Sequence, residues 1–524
     1  MSKTVFDEKD RKQIQAHGLT EDQVKKQIQV FESGAPYADL DRPCVVGDGI
    51  HRLTAEEVNE YAASYEKASA AGRRLTKFVP ASGAATRMFK ALLQISGGHE
   101  RVERNMIAKG AAEKNGEYEA VLTFIDNLEK FAFYDVLSEK MKSDGYDIAA
   151  LRESGNFTKI LSYILTKKGL NYSRKPKGQI LFHRYPSGPR TAFEEHLVDA
   201  ASYVVDEKGT CALHFTVSPE HENGFSSLLE KKGPAFEKAY KVRFDVGFSH
   251  QQPHTDTIAV DMENRPFRDK EGKLVFRPGG HGALIGNLSD LKGDIVFIKN
   301  IDNVVPDAFK PETILWKKVL AGYLFRLEKE SKTHRERIHR SGAGKNDISS
   351  ALRFVENQLG VTVSNQIKNS SAEKIRQYLM DRLDRPLRVC GMVPSSGEAG
   401  GGPFWVKSPD GSLSIQIVES AQIDSESASQ KDIMKHLTHF NPVDIVCSLR
   451  NEKNEPYDLS RFVDTKAVFI SHKSKDGREL KALEHPGLWN GAMAYWNTVF
   501  IEVPLITFNP VKTVNDLLRR THQG

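Results

Sequence analysis

Phe78-Val79-Pro80-Ala81-Ser82-Gly83-Ala84-Ala85-Thr86-Arg87-Met88-Phe89-Lys90 is the stretch that decides how this chain reads. A short apolar run with β character breaks at a turn of small residues. It then passes into an amphipathic segment that continues through Ala91-Leu92-Leu93, the pattern of strand, tight loop and helix. Small residues at Ala81, Ser82, Gly83, Ala84 and Thr86 let backbone N–H groups approach a ligand closely, and a helix N-terminus adds partial positive charge. Arg87, in the first turn, supplies a fixed cation with fork geometry. The stretch reads as a phosphate cradle. An ordinary strand-to-helix turn with a surface arginine is the alternative that these residues alone leave open.

The same rhythm returns downstream. Gln179–Phe182 is strand-like, Ala192–Tyr203 helix-like, Cys211–Val217 a strand, Glu222–Lys231 a helix and Lys241–Gly247 a strand. Thr257–Val260 and Lys273–Phe276 flank the turn residues Asp269-Lys270-Glu271-Gly272 and predict a hairpin. Gly282–Leu291 predicts a short helix, and Asp294–Ile298 is an almost wholly apolar, buried-type strand. Strands alternating with helices imply an α/β fold with a mixed, mostly parallel sheet, whose ligands sit beyond the strand carboxyl ends. Four regions follow: a polar helical lead-in over 1–75, an α/β core over 76–310, a helical segment over 311–385, and a part over 386–524 that completes the core. A helical insertion occupies about 96–170, where Phe124, Leu128, Phe131, Phe133, Leu137 and Met141 recur near helical spacing as a packing face.

At 524 residues the chain is too long for one simple core. Its hydrophobic fraction of 39% and charged fraction of 27% are those of a soluble globular protein. A formal charge of +5, from 74 basic and 69 acidic residues, gives no reason to expect a polyanion-coating surface. Cys44, Cys211, Cys390 and Cys447 have no paired spacing, which fits a reducing cytoplasm and argues against a zinc cluster. Neither a signal peptide nor a membrane span is visible.

Several other segments carry candidate chemistry. Asn300-Ile301-Asp302-Asn303 follows the buried strand, and a carboxylate there suits Mg²⁺, which prefers few protein oxygens plus substrate phosphates. A simple turn is the other reading. In Arg277-Pro278-Gly279-Gly280-His281-Gly282 three glycines surround one histidine. Such a loop suits hydrogen bonding to a planar base edge, and the glycines otherwise have no evident packing return. Arg174-Lys175-Pro176-Lys177-Gly178 places Lys177 to reach a phosphate as a point charge, or is a solvated run. In Phe508-Asn509-Pro510-Val511-Lys512-Thr513, a strand turns into a helix start, and a cation at Lys512 opposes the helix dipole unless an anion is bound. The loops around Glu398, Gly401 and Trp405, and around Trp489, Asn490 and Gly491, suit a sugar; tight turns with core aromatics explain them equally. Ser341-Gly342-Ala343-Gly344-Lys345 fails as a P-loop, lacking its first glycine and final Ser/Thr. The basic run Lys332–Arg340 alternates with Glu336 and has no interleaved aromatics, so a nucleic-acid site is not expected.

Taken in order, these pieces resemble the UTP–sugar-1-phosphate uridylyltransferases, the UDP-sugar pyrophosphorylase group. Gly83-Ala84-Ala85-Thr86-Arg87 is similar to that family's Gly-x-Gly-Thr-Arg loop, Pro176-Lys177-Gly178 to its Pro-Lys-Gly, and Pro278–Gly282 to its uracil loop. Asn300–Asn303 resembles its Asn-x-Asp-Asn, and Phe508–Leu518 its Phe-x-Pro-Val-Lys with the following Asp-Leu-Leu. The chain as a whole also resembles an uncharacterised bacterial family carrying only a domain-of-unknown-function label. Ala85 departs from the second glycine, the insertion is large, and no counterpart of the family's C-terminal β-helical domain follows Leu518.

The resemblance implies a GT-A-like nucleotide-diphospho-sugar transferase core. That core would join a nucleoside triphosphate, UTP foremost, to a sugar 1-phosphate with release of pyrophosphate. It assigns Arg87 to the β- and γ-phosphates, Lys177 to the α-phosphate, Asp302 to Mg²⁺, Lys512 to the sugar phosphate and Gly279–Gly282 to the base. A catalytically impaired nucleotide binder and a GT-A glycosyltransferase are the rival readings. The expectation common to all these assignments is that Arg87, Lys177, His281, Asp302 and Lys512 converge on one cleft.

Overall fold

Leu75–Pro80 is a strand, paired in parallel with Thr210–Thr216 through Lys77↔Leu213 to Pro80↔Thr216. The computed structural model describes residues 6–340, 344–395, 397, 400–440 and 444–524. Part of the rejected P-loop match, 341–343, therefore lies outside the described residues, as does Glu398. The protein is a mixed α/β chain with one large, mostly parallel sheet and many helices. It divides into two units. The first is Met1–Thr76, Ser249–Ile298 and Lys317–Leu505; the second is Lys77–Phe248, Lys299–Trp316 and Ile506–Gly524.

In the second unit the strand order beside Leu75–Pro80 continues through Thr210–Thr216 to Arg243–Ser249. The helices Ala192–Ala200 and Pro219–Tyr240 fall where the alternating rhythm expects them, the latter running well past the predicted end at Lys231. The insertion is helical, with five helices from Arg104 to Leu165. Its predicted packing face is real: Phe124, Leu128, Phe131, Phe133, Leu137 and Met141 are all buried. They share one apolar core with Ala85, Met88, Phe89, Val511, Val514 and Leu517. The insertion is thus the floor on which the cradle loop and the C-terminal segment rest.

The first unit carries the order Val45–Val46, Gly49–His51, Asn497–Glu502, Leu387–Pro394, Asp444–Ser448 and Ile295–Lys299. Asn497–Glu502 runs parallel to Leu387–Pro394, and Asp444–Ser448 antiparallel. Two four-stranded antiparallel sheets complete the unit, one of which contains the predicted hairpin, Phe276↔Ile258.

The lead-in needs correction. Its helices are present, and Thr54 caps one of them by accepting from the Glu57 N–H at 3.2 Å. However, Leu40–Pro43, Val45–Val46 and Gly49–His51 are strands where the sequence reads as helical. Leu40–Pro43 pairs with Phe404–Val406 and Gly49–His51 with Phe500–Ile501, hundreds of residues away, and pairing over such distance leaves no local signature; Val45–Val46 pairs with Gly49–Ile50 beside it. No helix among the described residues is long and apolar enough to cross a membrane. All four cysteines are buried and free.

Candidate functional site

The cradle loop is held open by its edges. Ala81 N–H donates to the Thr216 carbonyl at 2.8 Å, Ala85 N–H to Lys175 at 3.0 Å, and Lys177 N–H returns to Gly83 at 3.1 Å. Thr86 Oγ1 donates to the Ser173 carbonyl at 3.2 Å. Between these ties the N–H groups of Ser82, Gly83 and Ala84 have no acceptor among the described residues, and all three residues are exposed. The predicted helix does not start at Met88: a 3₁₀ turn, Ala85–Arg87, comes first and the α-helix begins at Lys90. Arg87 therefore ends a tight turn rather than opening a helix. Ala85, which stands where the resembled motif has glycine, is fully buried, its methyl in the apolar core instead of on the open side of the loop. Nothing stands within 4 Å of a Cβ built on Gly83, so this glycine faces open space.

Lys177 crosses from this loop to the turn after the buried strand. Its Nζ donates to Asp302 Oδ2 at 2.6 Å and to the Val511 carbonyl at 2.7 Å. Asp302 is buried, at 6% exposure, so a cation beside it offsets an otherwise costly isolated charge. Asn303 then pins the C-terminal segment: its Oδ1 accepts from Asn509 N–H at 2.8 Å and its Nδ2 donates to Thr507 at 3.2 Å. Asp302 accepts Val511 N–H through its carbonyl at 3.2 Å. Beyond Val511, Asp516 Oδ2 accepts the N–H groups of Lys512 and Thr513 at 2.8 and 2.7 Å, and Val514 N–H reaches the Met88 carbonyl at 3.0 Å. The predicted helix start is a 3₁₀ turn, Val514–Leu518, capped at Thr513. The side chains of Arg87 and Lys512 are exposed and have no partner among the described residues.

Arg87, Lys177, Asp302 and Lys512, scattered over more than 400 positions, are therefore brought together within the second unit by a continuous set of backbone and side-chain bonds. His281 belongs to the first unit. There its Nδ1 accepts from Leu488 N–H at 2.9 Å, which puts the proton on Nε2, and its ring stacks on Trp489 at 4.2 Å between centroids. Desolvation pushes its pKa down to about 4. The glycines around it have a packing reason that the sequence does not reveal. A Cβ on Gly279 would stand 2.2 Å from His485 and one on Gly282 2.1 Å from the Pro486 carbonyl, while Gly280 has φ +80°. Asn490 and Gly401 meet at the same neighbouring strand: Asn490 Nδ2 donates to the Ile417 carbonyl at 3.1 Å, and a Cβ on Gly401 would press on the Val418 carbonyl. Gly491 is buried against Ala467.

A buried network in the second unit has no counterpart in the sequence reading. His183 Nδ1 donates to Glu195 Oε1 at 3.0 Å, and His183 Nε2 accepts from His522 Nδ1 at 2.9 Å. Tyr185 OH donates to Glu195 Oε1 at 2.7 Å, and Lys310 donates to Oε2. Burial alone raises the Glu195 pKa, but the His183 hydrogen bond and the Lys310 charge outweigh it and hold the carboxylate at about 2. Desolvation drives the His522 pKa down to about 3. The one sequence signal is Ala192–Ala200 itself, a helix with Glu194, Glu195, His196 and Asp199 in which every residue is buried. This network anchors the chain end that carries Lys512.

Comparison with solved structures finds UDP-glucose pyrophosphorylase of Leishmania major in complex with UDP-glucose, with 12% identity, 98% of this chain and 79% of that chain covered, and a TM-score of 0.41. UDP-glucose phosphorylase from Trypanosoma brucei aligns with 13% identity over 97% of this chain and 76% of that chain, with a TM-score of 0.45. No curated protein matches. The model of the family described as Domain of unknown function (DUF4301) matches residues 7–523, and the chain belongs to that family.

Proposed function

We propose that the protein is a sugar-1-phosphate nucleotidyltransferase that takes a nucleoside triphosphate, UTP foremost, and releases pyrophosphate. The observation that carries this reading is the gathering, in one unit, of a loop with free N–H groups, one paired lysine–aspartate couple and two unpaired exposed cations. A site of this make-up is dominated by cations and free N–H groups. It is equipped for alignment and charge stabilisation, which is what phosphoryl and nucleotidyl transfer require.

In the proposed reaction an ionised oxygen of the sugar phosphate attacks the α-phosphorus in line. The bond to the bridging oxygen breaks, and pyrophosphate leaves with the electron pair. The N–H groups of Ser82, Gly83 and Ala84, with Arg87, would hold the departing phosphates. Lys512 would hold the incoming sugar phosphate. Among the described residues no three His, Cys, Asp or Glu side chains group to hold a metal ion. A single buried carboxylate, Asp302, fits Mg²⁺ only as one oxygen beside substrate phosphates and water, its usual setting in such sites. Bound there, Mg²⁺ would neutralise phosphate charge and template the groups. Lys177 would then turn from Asp302 to the α-phosphate, a short swing for a flexible ammonium.

His281, with its loop, is the candidate for the base, and Asn490, Gly401 and Gly491 for the sugar. Labelled pyrophosphate exchange into UTP, across a panel of nucleotide sugars with Mg²⁺ present, tests the proposal. Sugar-dependent exchange is the expected result. Transfer to an acceptor without exchange would identify a glycosyltransferase, and binding without either would identify a nucleotide sensor.

A further inference from the structure

A cavity in the first unit shares no residue with the cluster around Lys177. It encloses about 570 Å³ and is lined entirely by residues of the first unit. Its rim is the amino-terminal edge of that unit's parallel strands: Leu387 and Asn497 open their strands there, and Ser448 closes the antiparallel strand between Leu387–Pro394 and Ile295–Lys299. Substrates of open α/β sheets sit at the opposite, carboxyl edge. The cavity is of a size that holds a small organic ligand.

Its charge is unbalanced. Three of the lining cations are matched: Arg73 with Glu328 at 2.6 Å, Arg450 with Asp294 at 3.0 Å, and Arg335 with Asp384 at 2.7 Å. Arg385, Lys329 and Lys332 are not. The Arg385 guanidinium donates only to carbonyls, of Asp381 and Tyr495, both at 3.2 Å, and desolvation pushes its pKa down. Lys329 and Lys332 stand exposed at the cavity with no carboxylate partner among the described residues. Inside, Arg335 Nε is buried without an acceptor among the described residues. The apolar part of the lining is Phe325, Leu383 and Leu387, with the Arg73 guanidinium over the Phe325 ring at 4.7 Å. A half-buried, unpaired guanidinium beside an unsatisfied buried donor is costly unless an anion completes it.

We propose that this cavity is a second ligand site and takes a small phosphomonoester whose organic part lies on the Phe325–Leu387 wall while its phosphate meets Arg385, Lys329 and Lys332. The inference is independent of the nucleotidyl-transfer reading, since no residue is shared with the Lys177 cluster.

Phenyl phosphate and inorganic phosphate are the probes, titrated calorimetrically into the full-length protein at fixed ionic strength. The variants are Lys329→Glu/Lys332→Glu, Arg385→Gln and, as the control for the other cluster, Arg87→Ala/Lys512→Ala. Both lysines are exposed, so the first variant keeps the melting temperature of the parent and separates loss of binding from loss of fold. Saturable phenyl phosphate binding is expected. It should weaken by about tenfold or more in the two cavity variants, as for loss of a charge-assisted contact, and should persist in Arg87→Ala/Lys512→Ala. Phenyl phosphate should also bind more tightly than inorganic phosphate. Absence of saturable millimolar binding overturns the proposal. So does binding lost in Arg87→Ala/Lys512→Ala but kept in both cavity variants.

Discussion

Two glycine-bearing loops look alike in the sequence and differ in the fold. Around Gly83 the space beside the backbone is open, and among the described residues the neighbouring N–H groups lack acceptors and the nearby Arg87 and Lys512 are unpaired. Around Gly279 the His485 ring and the Thr255 carbonyl, and around Gly282 the backbone of His485 and Pro486, fill the place where a side chain would be. The first loop has hydrogen-bonding capacity left over, which is what a ligand site needs. The second has spent its glycines on close approach, and what it has left to offer is the His281–Trp489 stack. Glycine enrichment therefore points to a tight backbone in both cases, and only the surroundings tell which backbone is waiting for a partner.

The sharpest way to break this contrast is at Asp302. Asp302→Asn keeps an acceptor for Lys177 but removes the charge, and pyrophosphate exchange should fall on the order of 10³-fold. Near-parental exchange would take Asp302 out of the reaction. Lys512→Ala comes next. The side chain has no partner among the described residues, so exchange should fall about 10²-fold with an unchanged melting curve; a drop in melting temperature instead would make Lys512 structural. Gly282→Ala probes the other loop: its methyl would overlap the Pro486 carbonyl, and chemical denaturation should record a loss of about 1–3 kcal/mol. Gly83→Ala, facing open space, should leave stability within about 1 kcal/mol while impairing nucleotide binding. Equal stability losses at both positions would erase the distinction.

A further effect is in pH. Histidines held neutral in the fold, with pKa values below the ordinary value, contribute stability that is complete above the unfolded-state value and is lost as pH falls. For His522, with a folded value of about 3 against 6.5, the window opens below pH 6.5. At pH 5 the loss should be about 2 kcal/mol. Glu195, held at about 2 against 4.5, adds to the loss at lower pH, in the same direction. Denaturation midpoints at pH 7 and 5 measure this, and His522→Gln should flatten the difference. A parent protein equally stable at both values would refute the neutral-histidine anchor.

The sequence went furthest where chemistry is local. A strand ending in small residues, a carboxylate just past an apolar strand, Thr54 before two acids and the Phe124–Met141 spacing each follow from propensity or period over a few residues, and each is present. By itself the sequence determined the α/β class, the helical insertion and the residue types able to handle phosphate. Only the tertiary structure decided the rest. It joined Lys177 to Asp302 and Val511 across 125 and 334 positions. It turned the Ala85 methyl into the core, made strands of Leu40–Pro43 and Gly49–His51, and gathered His183, Glu195 and His522 around one buried charge. The physical reason is the same throughout. Local preferences are worth a few tenths to about 1 kcal/mol per residue, whereas burying a charge or pressing backbone on backbone is settled by whichever distant segment arrives to satisfy it.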